Sequence, residues 1–214
     1  MSHPFDPRHA ARLDDPARDG YLPVDALLGL LDLGGAETVV DYGVGYGYAT
    51  LPLAATLTQG RVVAVDRIPE MLDEVRRRLE TRRAAGEVLA PVELVHTTDD
   101  RVPLAEGAAD AVIALNVWHE IYDSPAALSE LRRLLAPRGA LAIVDWEADV
   151  ERPMGPVPAH TLTLAQALAV VATMGLTAEL ARPAGTTFPY HYAVVARPPL
   201  EGRPMNADAR EVRP

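Results

Sequence analysis

The 214-residue sequence contains neither cysteine nor lysine, so all twenty of its basic residues are arginines. Without cysteine the chain can form no disulfide, thiol nucleophile or cysteine-ligated metal site, and we expect a cytoplasmic protein. Without lysine it can form no Schiff base and no phosphate-binding loop of the P-loop type. These absences leave carboxylate, amide, hydroxyl, guanidinium and imidazole groups for its chemistry.

Long apolar runs and an excess of positive charge are missing as well. No run approaches the ~20 apolar residues of a membrane span, and residues 1–16 lack the apolar core of a secretory signal. The net charge of −10 argues against a nucleic-acid substrate, because phosphate backbones are bound by basic surfaces. We therefore expect neither a membrane nor a nucleic acid as partner.

The most informative stretch, residues 36–66, combines two apolar β-type runs with a glycine-rich loop and a helical segment between them. The first run ends at Asp41 and the second ends at Asp66. The loop has glycines at three alternate positions, Gly43, Gly45 and Gly47. Units of this kind build parallel sheets, and ligands bind beyond the carboxyl ends of their strands.

Each part of this unit suits a nucleoside. Glycines permit positive φ and a close approach of a ligand to the backbone, and the helix that follows points its free N–H groups toward the loop. A carboxylate at the position of Asp66 can accept hydrogen bonds from a ribose diol. A tight turn without a ligand would explain the glycines alone, but it would not explain the two acids.

The glycine spacing separates two classes of nucleoside site. The dinucleotide pattern G-x-G-x-x-G, begun at Gly43 or Gly45, requires a third glycine where Tyr48 or Thr50 stands. The observed pattern, D-x-G-x-G-x-G from Asp41, resembles motif I of the S-adenosylmethionine-dependent methyltransferases with a Rossmann-like fold. In that family the leading acid faces the amino-acid end of the cofactor.

This resemblance covers roughly residues 24–196 and is nearest to the quinone-biosynthesis (UbiE-like) and type 11 methyltransferases. The segment VVAVD resembles the ribose-binding motif, and DDRVPL resembles the segment in which an acid meets the adenine amino group. The resemblance implies S-adenosyl-L-methionine as the cofactor. It implies a cofactor-binding set of Asp41, Gly43, Gly45, Gly47, Asp66, Arg67, Asp99 and Asn116.

The rest of the chain predicts an α/β fold. Further apolar runs predict strands at 92–95, 111–115 and 140–144, with a turn at 137–139 before the last, and a closing antiparallel hairpin at 177–181 and 190–196. Helix signals predict helices at 24–33, 48–57, 69–85, 125–135 and 163–174. Together with the resemblance, these elements predict a Rossmann-like, mostly parallel seven-stranded sheet with helices on both faces and an antiparallel C-terminal β-hairpin.

Three regions are expected along the chain. Residues 1–22 would form an N-terminal arm, either frayed or folded as a cap over the substrate mouth. Residues 23–197 would form the methyltransferase domain, and residues 198–214 a disordered tail.

Candidate catalytic residues lie in the loops beyond strands four and five. Methyl transfer from a sulfonium requires an aligned nucleophile, and some acceptors also require a base. His119 and His160 are the candidates, each with a structural hydrogen-bonding role as its alternative. His119 also begins an H-E-x-x-H pattern, but Asp123 replaces the second histidine, so no metal site is predicted.

The sequence therefore predicts an S-adenosylmethionine-dependent methyltransferase that acts on a small-molecule acceptor, with a homodimer allowed. Two other functions remain open. One is a non-catalytic protein that uses the same cofactor site as a sensor or partner subunit. The other is a nicotinamide-dependent oxidoreductase, which the position of Tyr48 disfavours.

Overall fold

The computed structural model describes residues 13–199 of the chain. Most of the predicted tail and the first twelve residues of the predicted arm therefore lie outside the described residues. Within residues 13–199, no helix is long and apolar enough to cross a membrane.

Seven strands form one mixed sheet in the order β3-β2-β1-β4-β5-β7-β6. The first five strands run parallel, and β7 pairs antiparallel with both β5 and β6. The predicted fold class is thus confirmed, with the last strand inserted next to β5. The strands are β1 Thr38–Tyr42, β2 Arg61–Asp66, β3 Val92–His96, β4 Ala109–Leu115, β5 Leu135–Trp146, β6 Thr177–Arg182 and β7 His191–Arg197.

Helices cover both faces of the sheet because its central strands are apolar on both sides. One core layer contains Leu27, Leu53 and Val75 from the helices of the first half, and the other contains Leu131 and Val171 from the helices of the second half. The helices are α1 Arg18–Tyr21, α2 Val24–Leu28, α3 Thr50–Thr56, α4 Pro69–Ala84, α5 Trp118–Ile121, α6 Pro125–Leu134 and α7 Leu164–Thr173, with a short 3₁₀ helix at Pro158–His160.

Local signals placed several helix starts correctly. Ser124 caps α6 by accepting a hydrogen bond from the backbone N–H of Ala127, and Pro125 occupies the first turn, as predicted. Thr163 and Gln166 form the predicted capping box of α7. These contacts are local in sequence, which is why the sequence could predict them.

Two boundaries differ from the prediction. The helix predicted at 24–33 ends at Leu28, and the chain soon adopts a left-handed conformation at Asp32, with φ 48°. The turn predicted at 137–139 is instead part of β5, which begins at Leu135. Tertiary packing explains the second difference, since a Cβ at Gly139 would lie 2.7 Å from the carbonyl oxygen of Ala109 on the neighbouring strand. Glycine permits that close approach.

Candidate functional site

A cleft opens at the carboxyl ends of the parallel strands, where the chain order reverses between β1 and β4. Its volume is about 940 Å³, counting the open mouth. Loops after β1, β2 and β3 form one side, the segment after β4 forms the other, and residues of the N-terminal arm close part of the mouth. Ligands bind at such switch points in open parallel sheets.

The glycine loop after β1 needs its glycines for both conformation and packing. Gly43, Gly45 and Gly47 all have positive φ, at 78°, 52° and 82°. A Cβ on Gly43 would lie 2.6 Å from a methyl group of Val117 in the segment after β4. Gly43 and Gly45 line the cleft, whereas Gly47 faces Val75 of α4 and supports the loop from behind.

Asp66 holds the glycine loop in place at the end of β2. Its Oδ2 accepts a hydrogen bond of 2.9 Å from the backbone N–H of Gly45, and its Oδ1 accepts one of 2.9 Å from the N–H of Ile68. Burial raises the pKa of this carboxyl group although these donors oppose the shift. A carboxylate has about four lone-pair sites, so this group can still accept a hydrogen bond from a ligand hydroxyl.

Asp41 lies at the base of the cleft and is 2 % exposed. Its Oδ2 accepts a hydrogen bond of 2.6 Å from the Thr50 hydroxyl of α3. Burial raises its pKa to about 6, with Asp66 adding to the shift and Thr50 and Arg18 opposing it. A cationic group in the cleft would favour the ionised form of Asp41.

Arg18 of α1 enters the same cleft from the arm. Its guanidinium carbon lies 4.2 Å from the centroid of the Tyr48 ring, within cation–π range. The Tyr48 hydroxyl lies 2.6 Å from a carboxylate oxygen of Asp19 and 2.5 Å from the carbonyl oxygen of Leu22, so it fastens the arm. The sequence did not indicate Arg18 as a site residue, because its partner Tyr48 is about thirty residues away in sequence.

The structure brings Asp100, rather than Asp99, to the cleft. Asp100 has a left-handed backbone with φ 63°, and its Oδ1 accepts a hydrogen bond of 2.7 Å from the Tyr42 hydroxyl. Asp99 turns away and accepts hydrogen bonds from the Thr97 hydroxyl and the Arg101 N–H. Both acids stand in the DDRVPL segment, and only the backbone turn determines which of them lines the cleft.

Asn116 follows β4 directly and has a left-handed backbone with φ 52°. Its N–H donates to the carbonyl oxygen of Val144 in β5, which fixes the residue beside the cleft. Its side-chain Oδ1 is buried and has no hydrogen-bond partner among the described residues. A buried acceptor beside a cleft suits a donor group on a bound ligand. Arg67, also predicted from the resemblance, is exposed at the cleft rim after β2.

Comparison with known proteins agrees with this geometry. A family model described as a methyltransferase domain matches residues 40–143. An uncharacterized methyltransferase of Mycobacterium tuberculosis is 37% identical over 117 residues, which are 55% of this chain and 42% of that protein. A malonyl-[acyl-carrier protein] O-methyltransferase of Halorhodospira halophila is 40% identical over 103 residues, 48% of this chain and 32% of that protein. The matched regions thus cover less than half the length of these relatives.

Solved structures extend the match over most of the chain. A SAM-dependent methyltransferase from Aquifex aeolicus superposes with a TM-score of 0.79 and 26% sequence identity, over 90% of this chain and 98% of that one. Residues 40–143 thus match a methyltransferase domain, and the fold is that of an S-adenosylmethionine-dependent methyltransferase. The fold by itself is broader than this family name, because the [4+2]-cyclase SpnF shares it with a TM-score of 0.69 at 15% identity, over 83% of this chain and 80% of that one.

The charge of the cleft suits S-adenosylmethionine. Four carboxylates line it, against two arginines, Arg18 and Arg67. S-adenosylmethionine carries a sulfonium and an ammonium cation, whereas the pyrophosphate of a dinucleotide would be repelled by these acids. The carboxylates are Asp41, Asp66, Asp100 and Glu120.

His119 lies behind the cleft wall rather than on it. Its Nδ1 is 2.8 Å from Oδ1 of Asp145, and its backbone N–H donates to Oδ2 of the same carboxylate. Glu120, the next residue of α5, lines the cleft instead. The predicted His160 lies in the 3₁₀ helix after β5 and is not among the described residues that line the cleft.

Proposed function

We propose that this protein transfers the methyl group of S-adenosylmethionine to a small-molecule acceptor bound in the cleft between β1 and β4. The observation that carries this proposal is the cleft itself, which places the glycine loop and three carboxylates on one side and an ionisable residue, Glu120, on the other. When bound, the cofactor supplies a methyl group already activated by a positively charged sulfur. The chain must then orient the acceptor and exclude water.

The side chains of the cleft divide between the two ends of the cofactor. We propose that Asp66 and Asp100 bind the ribose and the adenine, because Asp66 ends β2 and Asp100 follows β3. Asp41 and Arg18 have the charges that complement the ammonium and the carboxylate of the amino-acid end. Arg67 and the orphan oxygen of Asn116 would add contacts at the rim and at the end of β4.

The arm would act as a cap over the bound cofactor. Leu13 and Arg18 both line the cleft, and Leu13 lies 3.4 Å from the position that a Cβ on Gly45 would occupy. An ion pair between Asp14 and Arg78 of α4 helps to hold this segment against the domain. A capped cleft of this size suits a small acceptor better than a folded macromolecule.

Transfer of labelled methyl groups tests this function. The purified protein is incubated with a metabolite extract and S-adenosylmethionine labelled in its methyl group, and the small-molecule products are separated from protein and nucleic acid. We expect label in the small-molecule fraction that requires the intact protein. Binding of the cofactor without any transfer of label would instead indicate the non-catalytic alternative.

A further inference from the structure

Three ionisable side chains form a row behind and at the cleft wall on the side of β4 and β5. Asp145, at the end of β5, is fully buried and lies 2.8 Å from Nδ1 of His119. The other ring nitrogen of His119, Nε2, lies 4.0 Å from Oε1 of Glu120. The row thus runs from the buried end of a core strand to a carboxylate that lines the cleft.

The fold builds this row from two adjacent residues of one short helix. Successive helical residues point about 100° apart, so neighbours in sequence face different surroundings. In α5, His119 faces β5 while Glu120 faces the cleft, and the left-handed Asn116 directs the chain into this helix. Trp118, on the remaining side, is fully buried in the core and fixes the helix.

The charges around His119 favour its cationic form. Burial tends to lower its pKa, but Asp145 and Glu120 outweigh burial, so the pKa lies above the ordinary value. Arg152 opposes the shift, and His191 and Tyr192 of β7 are further titratable groups that interact with this row. An imidazolium held on one side by Asp145 presents a positive charge to Glu120, whose Oε1 lies 4.0 Å from Nε2, and this charged contact can hold the Glu120 side chain in position.

The carboxylate of Glu120 lies on the side of the cleft where we expect the acceptor, and not on the side of the cofactor. Asp66 and Asp100 lie after β2 and β3, on the far side of the switch point, and Asp41 lies at its base. Glu120 and its neighbour Ile121 line the opposite wall, after β4. The reacting centre of a methyl transfer lies between donor and acceptor, so a carboxylate on this wall faces the acceptor side.

We propose that Glu120 accepts the proton of a methyl acceptor whose reacting atom is the oxygen of a hydroxyl or the nitrogen of an amine, and that His119 and Asp145 hold Glu120 in position. This inference rests on the proposed function. In the step, the acceptor atom forms a bond to the donor's methyl carbon while the carbon–sulfur bond breaks. The electron pair of that bond stays on sulfur, and the proton of the acceptor passes to the Glu120 carboxylate.

The first test measures the electrostatic effect of Asp145 and Glu120 on His119, and it needs no acceptor. Histidine-labelled protein is titrated by NMR, and the midpoint of the His119 imidazole is compared between the wild type, Glu120→Gln and Asp145→Asn, with Glu93→Gln of β3 as the matched control. We expect the midpoint to fall by about one pH unit in each of the first two variants and to stay unchanged in the control. An unchanged midpoint in Glu120→Gln would overturn the electrostatic link, and this variant suffices if Asp145→Asn fails to fold.

The second test identifies the reacting atom. Products formed with a ¹³C-methyl donor are examined by NMR, because the methyl chemical shift reports whether carbon is bound to oxygen, nitrogen, sulfur or carbon. We expect ethers or methylamines, a fall in rate of ~10²–10⁴-fold in Glu120→Gln, and partial rescue in Glu120→Asp. Affinity for S-adenosylhomocysteine should change little in either variant.

The outcomes separate this inference from the proposed function. Label on sulfur, on carbon or in a methyl ester would overturn the proposed acceptor class, which consists of hydroxyl oxygen and amine nitrogen. Full activity of Glu120→Gln would overturn the role of Glu120 while leaving methyl transfer intact. If the wild-type protein does not bind S-adenosylhomocysteine, the proposed function itself is refuted.

Discussion

Ionisation of Asp41 lowers the stability of the folded protein. Its carboxyl group is almost completely buried, and its pKa rises from 3.8 to about 6 mainly because of that burial. Above pH 6 the group is ionised in both the folded and the unfolded chain, but ionisation is harder in the folded one. The shift therefore corresponds to a loss of roughly 3 kcal/mol of stability as pH rises from 4 to 6.

The variant Asp41→Asn should remove this cost. We expect it to be more stable than the wild type at pH 8 in chemical denaturation, and equally stable below about pH 3, where Asp41 is protonated in both states. Its affinity for S-adenosylhomocysteine should be lower at pH 8, because the ligand ammonium loses its carboxylate partner. A variant that is less stable than the wild type at pH 8 would contradict the ionisation cost, and an unchanged affinity would contradict the role of Asp41 toward the ligand.

The neighbouring acids Asp99 and Asp100 allow a matched comparison. Asp100 faces the cleft and Asp99 faces its own loop, so Asp100→Ala should weaken binding of S-adenosylhomocysteine by about 1–3 kcal/mol and Asp99→Ala should leave it nearly unchanged. Calorimetric titration of both variants measures the difference. The reverse result would restore Asp99 as the adenine contact that the resemblance implied.

At the scale of the elements, the arm depends on a few contacts around Tyr48. The hydroxyl of this residue reaches Asp19 and the carbonyl oxygen of Leu22, while its ring lies against Arg18. Because α1 has only four residues, it cannot be stable by itself and relies on such tertiary contacts.

The variant Tyr48→Phe keeps the ring and removes the hydroxyl. We expect a stability loss of about 1 kcal/mol, together with faster hydrogen exchange of residues 18–22. Tyr46→Phe, which keeps its ring beside Arg78, serves as the control and should leave exchange of the arm unchanged. Equal exchange in wild type and Tyr48→Phe would mean that other contacts hold the arm.

The sequence predicts an element well when the element is determined by residues within its own segment, and poorly when it depends on contacts with distant segments. The strands β1, β2 and β4 are apolar runs that end in polar residues, so both their positions and the site residues at their ends were readable. Helix α5 has four residues and no periodic pattern, so the sequence could not show that His119 and Glu120 point in different directions. The contact of Arg18 with the cleft likewise depends on chain segments that are distant in sequence.

At the scale of the whole molecule, the two sides of the cleft have different proposed roles, since one would bind the cofactor and the other the acceptor. The family match covers residues 40–143, which include the end of β1, all of β2 to β4 and most of the cofactor side of the cleft. The arm, the end of β5 and the loop after it lie outside this range and contain Arg18, Asp145 and Arg152. The proposed acceptor-side residue Glu120 lies inside the matched range, whereas its proposed positioning residue Asp145 lies just outside it.

The charge of the cleft also acts at this scale. Four carboxylates and two arginines give a field that favours a cationic nucleoside and opposes a pyrophosphate. The central claim is therefore that this cleft binds S-adenosylmethionine and its product but not a dinucleotide, whatever the acceptor is.

Calorimetric titration of the wild-type protein with S-adenosylhomocysteine, and separately with NAD, tests that claim most directly. We predict micromolar binding of S-adenosylhomocysteine and no measurable binding of NAD. Binding of NAD alone would contradict the assignment and return the oxidoreductase alternative, and binding of neither would show that the glycine loop and its acids no longer form a cofactor site.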